Sequence, residues 1–158
     1  MRLDDKELVI IEKMLCDYMD ALLIRYRHII ADGGPPREVL SRLVGCVFAS
    51  FAGQQAAIML WQDQRPALES LPGFDYLAQA EGEAELLWTE VITRGIKGGE
   101  FRQDLDPRLT YRVIRDAIWM AARWYRPDGP LGTQQLAEQY VAILVDGIDS
   151  RRCCSGTR

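Results

Sequence analysis

The chain has 158 residues, of which 48% are apolar and 27% charged, with a net charge of −4 and a pI near 5.1. This length and composition predict one globular domain with a sizeable core and exclude intrinsic disorder. The acidic balance argues against a surface that grips phosphate backbone by itself, and no apolar run reaches the ~20 residues that span a bilayer.

Apolar spacing predicts that every long segment is a helix, and no segment shows the alternation of a strand bounded by hairpin turns. The first helix starts at Asp4 and carries one apolar stripe to Ile29, before the run DGGPP at 32–36 ends it. A second helix starts at the proline pair and buries the apolar positions between Leu40 and Phe51.

The middle of the chain is predicted to hold one short and one long helix. Residues 54–64 continue helically, and Pro66 with the following run LPG is expected to end them. This short helix is a candidate pocket wall. The fourth helix begins after LPG, carries one apolar face and ends at the glycine pair 98–99.

The fifth helix is the most apolar segment and also holds the densest cluster of cations. Asp106 is its predicted N-cap and Pro107 its first residue, while Pro127 and Gly129 are expected to end it. Its apolar positions fill an arc of roughly 200°, whereas a one-sided surface helix needs only about 100°. The remaining strip, which suits a large planar anion, holds Arg112, Arg115, Asp116, Trp119, Arg123 and Arg126.

The last helix, predicted from Thr133 as N-cap to Ile148, has another apolar arc of roughly 200°. Two adjacent helices with such arcs carry more apolar surface than one small core buries. A symmetric homodimer with two helices from each protomer covers that surface, and a monomer that wraps both helices in its own core is the alternative. The interface residues expected from the arcs are Ala117, Ala121, Trp124, Leu136, Tyr140, Ile143 and Leu144.

The sequence offers no catalytic pair of acid and base, so we predict that the chain is not an enzyme and uses no metal or cofactor. His28, the one histidine, lies near a helix end, where a structural role is expected. Four cysteines without metal-ligand spacing, and no secretory leader, point to a cytoplasmic protein. Cys16 and Cys46 are expected in the core, and Cys153 and Cys154 in a frayed tail rather than a redox switch.

The C-terminal third carries a family pattern. Residues 95–148 read GIKGGEFRQDLDPRLTYRVIRDAIWMAARWYRPDGPLGTQQLAEQYVAILVDGI. The order of glycine pair, FRxDLDP link, RWYRPDGPL turn and terminal helix resembles the C-terminal ligand-binding and dimerisation domain of TetR-type transcriptional regulators. The opening LDDKELVIIEKML is similar to the start of that family's fourth helix. The resemblance implies an all-α bundle of about six helices, the last two forming a dimeric four-helix bundle, with an effector-binding and dimerisation domain at 1–150 and a flexible tail at 151–158.

The resemblance also implies a function. The chain looks most like the branch that represses fatty-acid or steroid catabolism genes and is released by acyl-CoA or steroid-CoA thioesters. TetR-type regulators begin with a helix-turn-helix module for DNA, which we expect to be missing because only Met1 and Arg2 precede Leu3. Without it, specific binding to duplex DNA is not expected. The alternative is a helical protein-interaction adaptor without DNA-binding activity.

Ordinary helix electrostatics accounts for part of the polar strip on the fifth helix. Arg112 and Asp116 stand at i and i+4 and are expected to pair. Arg123 and Arg126 near the helix end meet the negative end of the dipole. This account leaves Trp119 unexplained, because an indole normally packs within an apolar arc.

Effector binding gives the strip a second interpretation. Arg115, Trp119 and Arg123 at four-residue spacing offer two charges and a stacking plane for the anionic part of a CoA thioester. The apolar tail of the effector is expected to run among Met59, Trp61 and Trp88, which are bulky side chains on neighbouring helices.

Overall fold

The computed structural model describes residues 3–150, which form helices and no strand. The helices are α1 (Asp5–Asp32), α2 (Pro36–Ser50), α3 (Gln55–Leu68), α4 (Phe74–Lys97), α5 (Pro107–Trp124) and α6 (Thr133–Tyr140). Without a break, α6 continues into a π-helical segment, Val141–Val145, and a last turn, Asp146–Ile148. We call residues 133–148 the C-terminal helix. The all-α prediction is confirmed, while the apolar pattern gave no sign of the π-helical segment.

The helix starts agree with the prediction except at α6, where Gly132 is the N-cap and the predicted cap, Thr133, is the first helical residue. The Asp4 carboxylate accepts a hydrogen bond from Glu7 N, and the Glu7 carboxylate accepts one from Asp4 N, both at 2.8 Å. This reciprocal pair is a capping box. Asp106 Oδ1 accepts from Leu109 N at 2.8 Å, so the carboxylate satisfies a free donor of α5. Gly33, with φ of 72°, follows α1 in the region that favours glycine.

Two helix ends differ from the prediction. α3 continues through Pro66 into its last turn, because a proline so close to the end removes only one backbone hydrogen bond. α5 ends at Trp124, before Pro127 is reached. Tyr125, two residues before the proline, already has extended backbone with ψ of 134°. Arg126 therefore lies beyond the helix.

α1 is the central helix of the bundle and packs against α2, α3 and α4. α4 packs in turn against α5, and α2 packs against the C-terminal helix. The predicted stripes of α1 and α2 form the core, where Leu15, Leu22, Leu40, Leu43 and Phe48 are at most 1% exposed. Within residues 3–150 no single helix is long and apolar enough to cross a membrane; α2 and α3 have the length and composition only as a pair bent by 94°.

The two cysteines in the described part of the chain differ in burial. Cys46 is buried in the core, as predicted, and Cys16 is half-buried at its edge. Burial raises the pKa of the Cys46 thiol, and burial together with nearby carboxylates raises the pKa of Cys16. Both thiols are therefore poor nucleophiles. Cys153 and Cys154 lie outside the described residues.

The link between α4 and α5 is joined to the end of the C-terminal helix. Arg102 N donates to Ile148 O at 2.9 Å, and Phe101 forms an isolated antiparallel bridge with Asp149. The Phe101 ring is fully buried, and Phe101 N donates to Gly95 O at 3.0 Å. This pairing holds the C-terminal helix against the end of α4.

Candidate ligand cavity

A cavity of about 840 Å³ lies between α1, α3, α4 and α5. Small-molecule sites usually have roughly 300 to 1,000 Å³, so this volume suits an organic ligand. Its lining includes apolar and aromatic side chains: Met19, Tyr26, Ile58, Trp61, Tyr111, Trp119 and Met120. It also includes charged side chains, which we call the charged wall: Arg65, Glu81, Glu85, Arg115, Asp116 and Arg123. The cavity therefore offers both kinds of contact that an amphiphilic ligand requires.

The predicted trio on α5 lines this cavity, and Trp119 is packed differently from the prediction. Arg115, Trp119 and Arg123 all contribute to the wall. The Trp119 indole is half-buried, and its ring centroid lies 6.1 Å from that of Tyr18 and 6.0 Å from that of Trp61. The indole thus belongs to an aromatic cluster between α1, α3 and α5 and also lines the cavity.

Asp116 pairs with Arg115, so the predicted pair between Arg112 and Asp116 is wrong. Arg115 Nε and Nη2 each lie 2.9 Å from Asp116 Oδ1. The Arg115 guanidinium also lies over the Tyr111 ring, at 5.6 Å from its centroid. Arg115 therefore has two contacts on its own helix, the Tyr111 ring and the Asp116 carboxylate. Arg112 is exposed and does not line the cavity.

Arg123, on α5, is hydrogen-bonded to two side chains of α3. Its Nη1 donates to Asp63 Oδ1 at 2.9 Å and to Gln62 Oε1 at 3.0 Å. Gln62 Nε2 donates in turn to Trp119 O at 3.0 Å. These three hydrogen bonds join α3 to α5 beside the cavity.

Arg65 is a third cation in the wall, which sequence reasoning missed. Its Nη1 and Nη2 donate to the two oxygens of Glu81 at 2.9 and 3.2 Å, and its Nε lies 3.3 Å from Glu69. The predicted helix stopped at residue 64, before Arg65, whereas α3 continues to Leu68 and Arg65 lines the cavity. The signal was present in the spacing of Ile58, Trp61 and Arg65, which share one face of a helix.

Two of the predicted tail-contacting residues lie elsewhere. Met59 is half-buried and is not part of the cavity wall, because it stands about 100° around α3 from Ile58. Trp88 is 3% exposed and lies behind the wall. Its ring centroid is 5.6 Å from that of Tyr26 and 5.9 Å from that of Tyr111, so it supports two wall residues. Neither residue reaches the cavity itself.

The charged wall is balanced rather than cationic, since it contains both arginines and carboxylates. The phenols beside it stay neutral: burial raises the pKa of Tyr111 to about 12, and burial raises the pKa of Tyr26 well above its ordinary value. The arginines of this wall therefore already have carboxylate partners, and the wall is not a preformed positive field.

The surface predicted for dimerisation is partly exposed and partly buried. Trp124 and Ile143 are 53% and 70% exposed. Ala121 and Leu136, in contrast, are 0% and 3% exposed, so they belong to this chain's own core and offer a partner no free surface. Part of each wide apolar arc packs in the protomer's own core, and only the other part of the arc faces outwards. Half-buried positions at the edge of the core are Ala117, Tyr140 and Leu144.

The amino-acid sequence is similar to that of known transcriptional repressors. The family described as Tetracyclin repressor-like, C-terminal domain, matches residues 33–148. The HTH-type transcriptional repressor KstR2 of Mycolicibacterium smegmatis is 37% identical over 138 residues, which cover 87% of this chain and 67% of that protein. KstR2 of Rhodococcus jostii is 35% identical over 147 residues, which cover 93% of this chain and 72% of that protein.

The helical arrangement is similar to that of a solved structure as well. The ketosteroid transcriptional regulator KstR2 of Mycobacterium tuberculosis matches with a TM-score of 0.82 at 38% identity. The match covers 88% of this chain and 71% of that chain. The helical bundle predicted from the resemblance is thereby confirmed.

Proposed function

Because the chain belongs to the TetR family of transcriptional regulators, we propose that residues 1–150 are the effector-binding and dimerisation domain of a repressor that senses a CoA thioester of a fatty-acid or steroid metabolite. Proteins of this family act as dimers that bind small-molecule effectors and DNA, and they are not enzymes. The proposed place of action is the cytoplasm. Operator binding is assigned to none of helices α1 to α6.

The observation that carries this proposal is the mixed lining of the cavity. Its apolar and aromatic side chains suit an acyl chain or a fused ring system, and its arginines suit phosphate and other anionic groups. Of the two classes of thioester, the steroid class has additional support, because the 38% identical structure is that of a ketosteroid transcriptional regulator. Trp119 lines the same cavity, and its indole offers a plane on which a planar group of the effector can stack.

Anion binding at the cavity wall requires two arginines to leave their present carboxylate partners, and this exchange costs little free energy. The side chains of Asp116 and Asp63, which pair with Arg115 and Arg123, are 70% and 51% exposed. Exposed pairs of this kind contribute about 0 to 1 kcal/mol, so their loss costs little. The released carboxylates return to water, while each arginine gains a charge-assisted bond to the ligand.

We expect Arg115→Ala to weaken the binding of CoA thioesters by about 1.5 to 3 kcal/mol, because it removes one charge-assisted contact. The ligands to measure are decanoyl-CoA and the CoA thioester of a steroid carboxylic acid, by titration calorimetry. Binding also raises the melting temperature, since ligand at about 100 times its Kd adds about 2.7 kcal/mol of stability. That shift should be smaller in the variant.

The matched control is Arg112→Ala, which removes the same side chain from the same helix at an exposed position outside the cavity. This variant should bind both thioesters like the parent. If Arg115→Ala and Arg123→Ala both keep the parent's affinity, the charged wall is structural and the anion site lies elsewhere.

We expect the chain to be a dimer in solution, because α5 and the C-terminal helix carry exposed apolar side chains that one core leaves uncovered. These are Val113, Met120, Trp124 and Ile143, with exposed fractions of 54%, 56%, 53% and 70%. Light scattering at micromolar concentration should return about twice 18.0 kDa. A folded protein with the mass of one chain would favour the alternative, a monomer whose own core covers both helices.

A further inference from the structure

We infer that the π-helical segment Val141–Val145 is a one-residue insertion in the C-terminal helix, and that it turns Ile143 out of the core to build a contact surface for a second copy of this chain. This inference rests on the proposed dimer and names the feature that produces its surface. A continuous α-helix over the same residues would place Ile143 on the side of the helix that packs in the core.

The backbone hydrogen bonds identify the insertion. Asp146 N donates to Val141 O, five residues earlier, whereas an α-helix bonds residues four apart. A π-helical turn therefore holds about one residue more than an α-helical turn. The residues after it are turned back by about 100° relative to a continuous α-helix.

The burial pattern indicates the same rotation independently. In a continuous α-helix, Ile143 would lie within about 20° of Leu136, and Val145 would lie on the opposite side of the helix from Leu136. The structure shows the reverse: Ile143 is 70% exposed, whereas Leu136 and Val145 are 3% and 0% exposed. The extra residue brings Val145 to within about 20° of Ala137, which is also buried.

The end of the helix is fixed by contacts with the rest of the protomer. Asp146 directly follows the π-helical segment and forms an ion pair with Arg37 on α2. The same guanidinium lies 3.3 Å from a carboxylate oxygen of Asp149. Because these ion pairs and the burial of Val145 hold the residues after the segment, the extra residue displaces Ile143 outwards instead.

Gly147 is the second feature of this surface. It follows Ile143 by four residues, both are exposed, and a Cβ at residue 147 would have no atom within 4 Å. Its φ does not lie in the left-handed region, and glycine weakens a helix relative to alanine. The protomer therefore does not explain a glycine at this position, whereas the close approach of a second chain does.

A second copy of this chain is the partner that fits the surface, because proteins of this family act as dimers. In a two-fold dimer each protomer contributes the same patch, so one patch must supply both a projecting side chain and a space that receives it. Ile143 and Gly147 supply this pair, and Ala142 is a second small, exposed residue beside them.

Deletion of Ala142 tests the insertion. The residues after the segment should keep their orientation, because the shortened chain can form a continuous α-helix, so circular dichroism and urea unfolding should match those of the parent. Ile143 then takes the position of Ala142. The dissociation constant of the dimer, measured by sedimentation over a dilution series, should rise at least about tenfold, as expected when a central apolar contact is lost.

Deletion of Glu90 is the matched control. Glu90 is exposed in the regular helix α4, and the buried residues Val91 and Ile92 follow it. Without an insertion to absorb the deletion, the preceding and following parts of α4 are turned by about 100° relative to each other, and cooperative unfolding should be lost. If deletion of Ala142 unfolds the protomer in the same way, the segment is not a removable insertion and the inference is overturned.

Gly147→Leu tests the surface without a change in chain length. The position is open in the single chain, so the variant should be at least as stable as the parent. Its side chain fills the space proposed for Ile143 of the second copy, so the dissociation constant should again rise at least about tenfold. Gln134→Leu adds the same side chain at an exposed position near the start of this helix and should dimerise like the parent.

The outcomes separate this inference from the proposed dimer. If the parent is a dimer and both the Ala142 deletion and Gly147→Leu dimerise as tightly as the parent, the inference is overturned and the dimer stands. If the parent is a single chain at micromolar concentration, both are overturned.

Discussion

Gly95→Ala should lower the free energy of unfolding by about 3 kcal/mol, a large loss for the addition of one methyl group. A Cβ at residue 95 would lie 2.3 Å from Phe101 Cδ2 and 2.4 Å from Phe101 Cε2. Carbon atoms pack at about 3.5 to 4.0 Å, so either the ring or the backbone of α4 has to move. The gain in helix propensity from glycine to alanine, about 1 kcal/mol, is too small to offset this clash.

Neither partner in that contact is free to move. The Phe101 ring is 0% exposed, and its backbone N–H is bonded to Gly95 O at 3.0 Å. The adjacent Arg102 N is bonded to Ile148 O, which holds the link against the C-terminal helix. Displacement of the ring therefore disturbs the contact between two helices. Thermal and urea unfolding should both report the loss, with a melting temperature lower by about 10 °C.

Gly82→Ala is the control on the same helix. A Cβ at residue 82 would have no atom within 4 Å, so this variant should be as stable as the parent or more stable by up to about 1 kcal/mol. Equal stability of Gly95→Ala and Gly82→Ala would mean that the Phe101 ring has space to move, contrary to its burial.

The helix boundaries could be predicted where local chemistry decides them. Asp106 was recognised as an N-cap because a carboxylate followed by proline before an apolar stripe is typical of a helix start, and it accepts the expected backbone hydrogen bond. Pro66 was misjudged because tolerance of a proline depends on how much helix follows it. The π-helical segment Val141–Val145 arises in a run of apolar residues whose composition does not distinguish it from an α-helix.

The candidate site could be predicted to the level of a helix face and no further. Four-residue spacing correctly placed Arg115, Trp119 and Arg123 together, because these positions stack along one side of a helix. The partner of Asp116 could not be predicted, since two arginines on the same helix are within its reach and tertiary packing selects between them. The contribution of Arg65 depends on contacts between α3 and α4, which periodicity within one helix does not contain.

The apolar arcs overestimated the partner surface for a similar reason. An arc shows that residues avoid water, but it does not show whether the chain itself or a second copy covers them. Ala121 is covered by this chain and Ile143 is not, although both lie in arcs of roughly equal width. Because Ile143 is exposed in the single chain, it is a better position for a test of the dimer than a residue chosen from the arcs alone.

Ile143→Glu should raise the dissociation constant of the proposed dimer at least about a hundredfold while leaving the protomer folded. A charge without a partner inside an interface costs about 3 to 5 kcal/mol, and each 1.4 kcal/mol is about tenfold in Kd. Ile143 is 70% exposed in the single chain, so the glutamate remains in water when the protomer is alone. Leu144→Glu would be less informative, because Leu144 packs against the core and the charge would also destabilise the fold.

The matched control for Ile143→Glu is Leu86→Glu on α4, which replaces an equally exposed apolar residue, at 71%, outside the two C-terminal helices. Light scattering over a dilution series should show Ile143→Glu as a single chain at concentrations where the parent and Leu86→Glu are dimers. Circular dichroism should show the same helix content in all three, which separates dissociation from unfolding. If Ile143→Glu remains dimeric while Leu86→Glu dissociates, the partner surface lies on α4, and the assignment to the C-terminal helix is wrong.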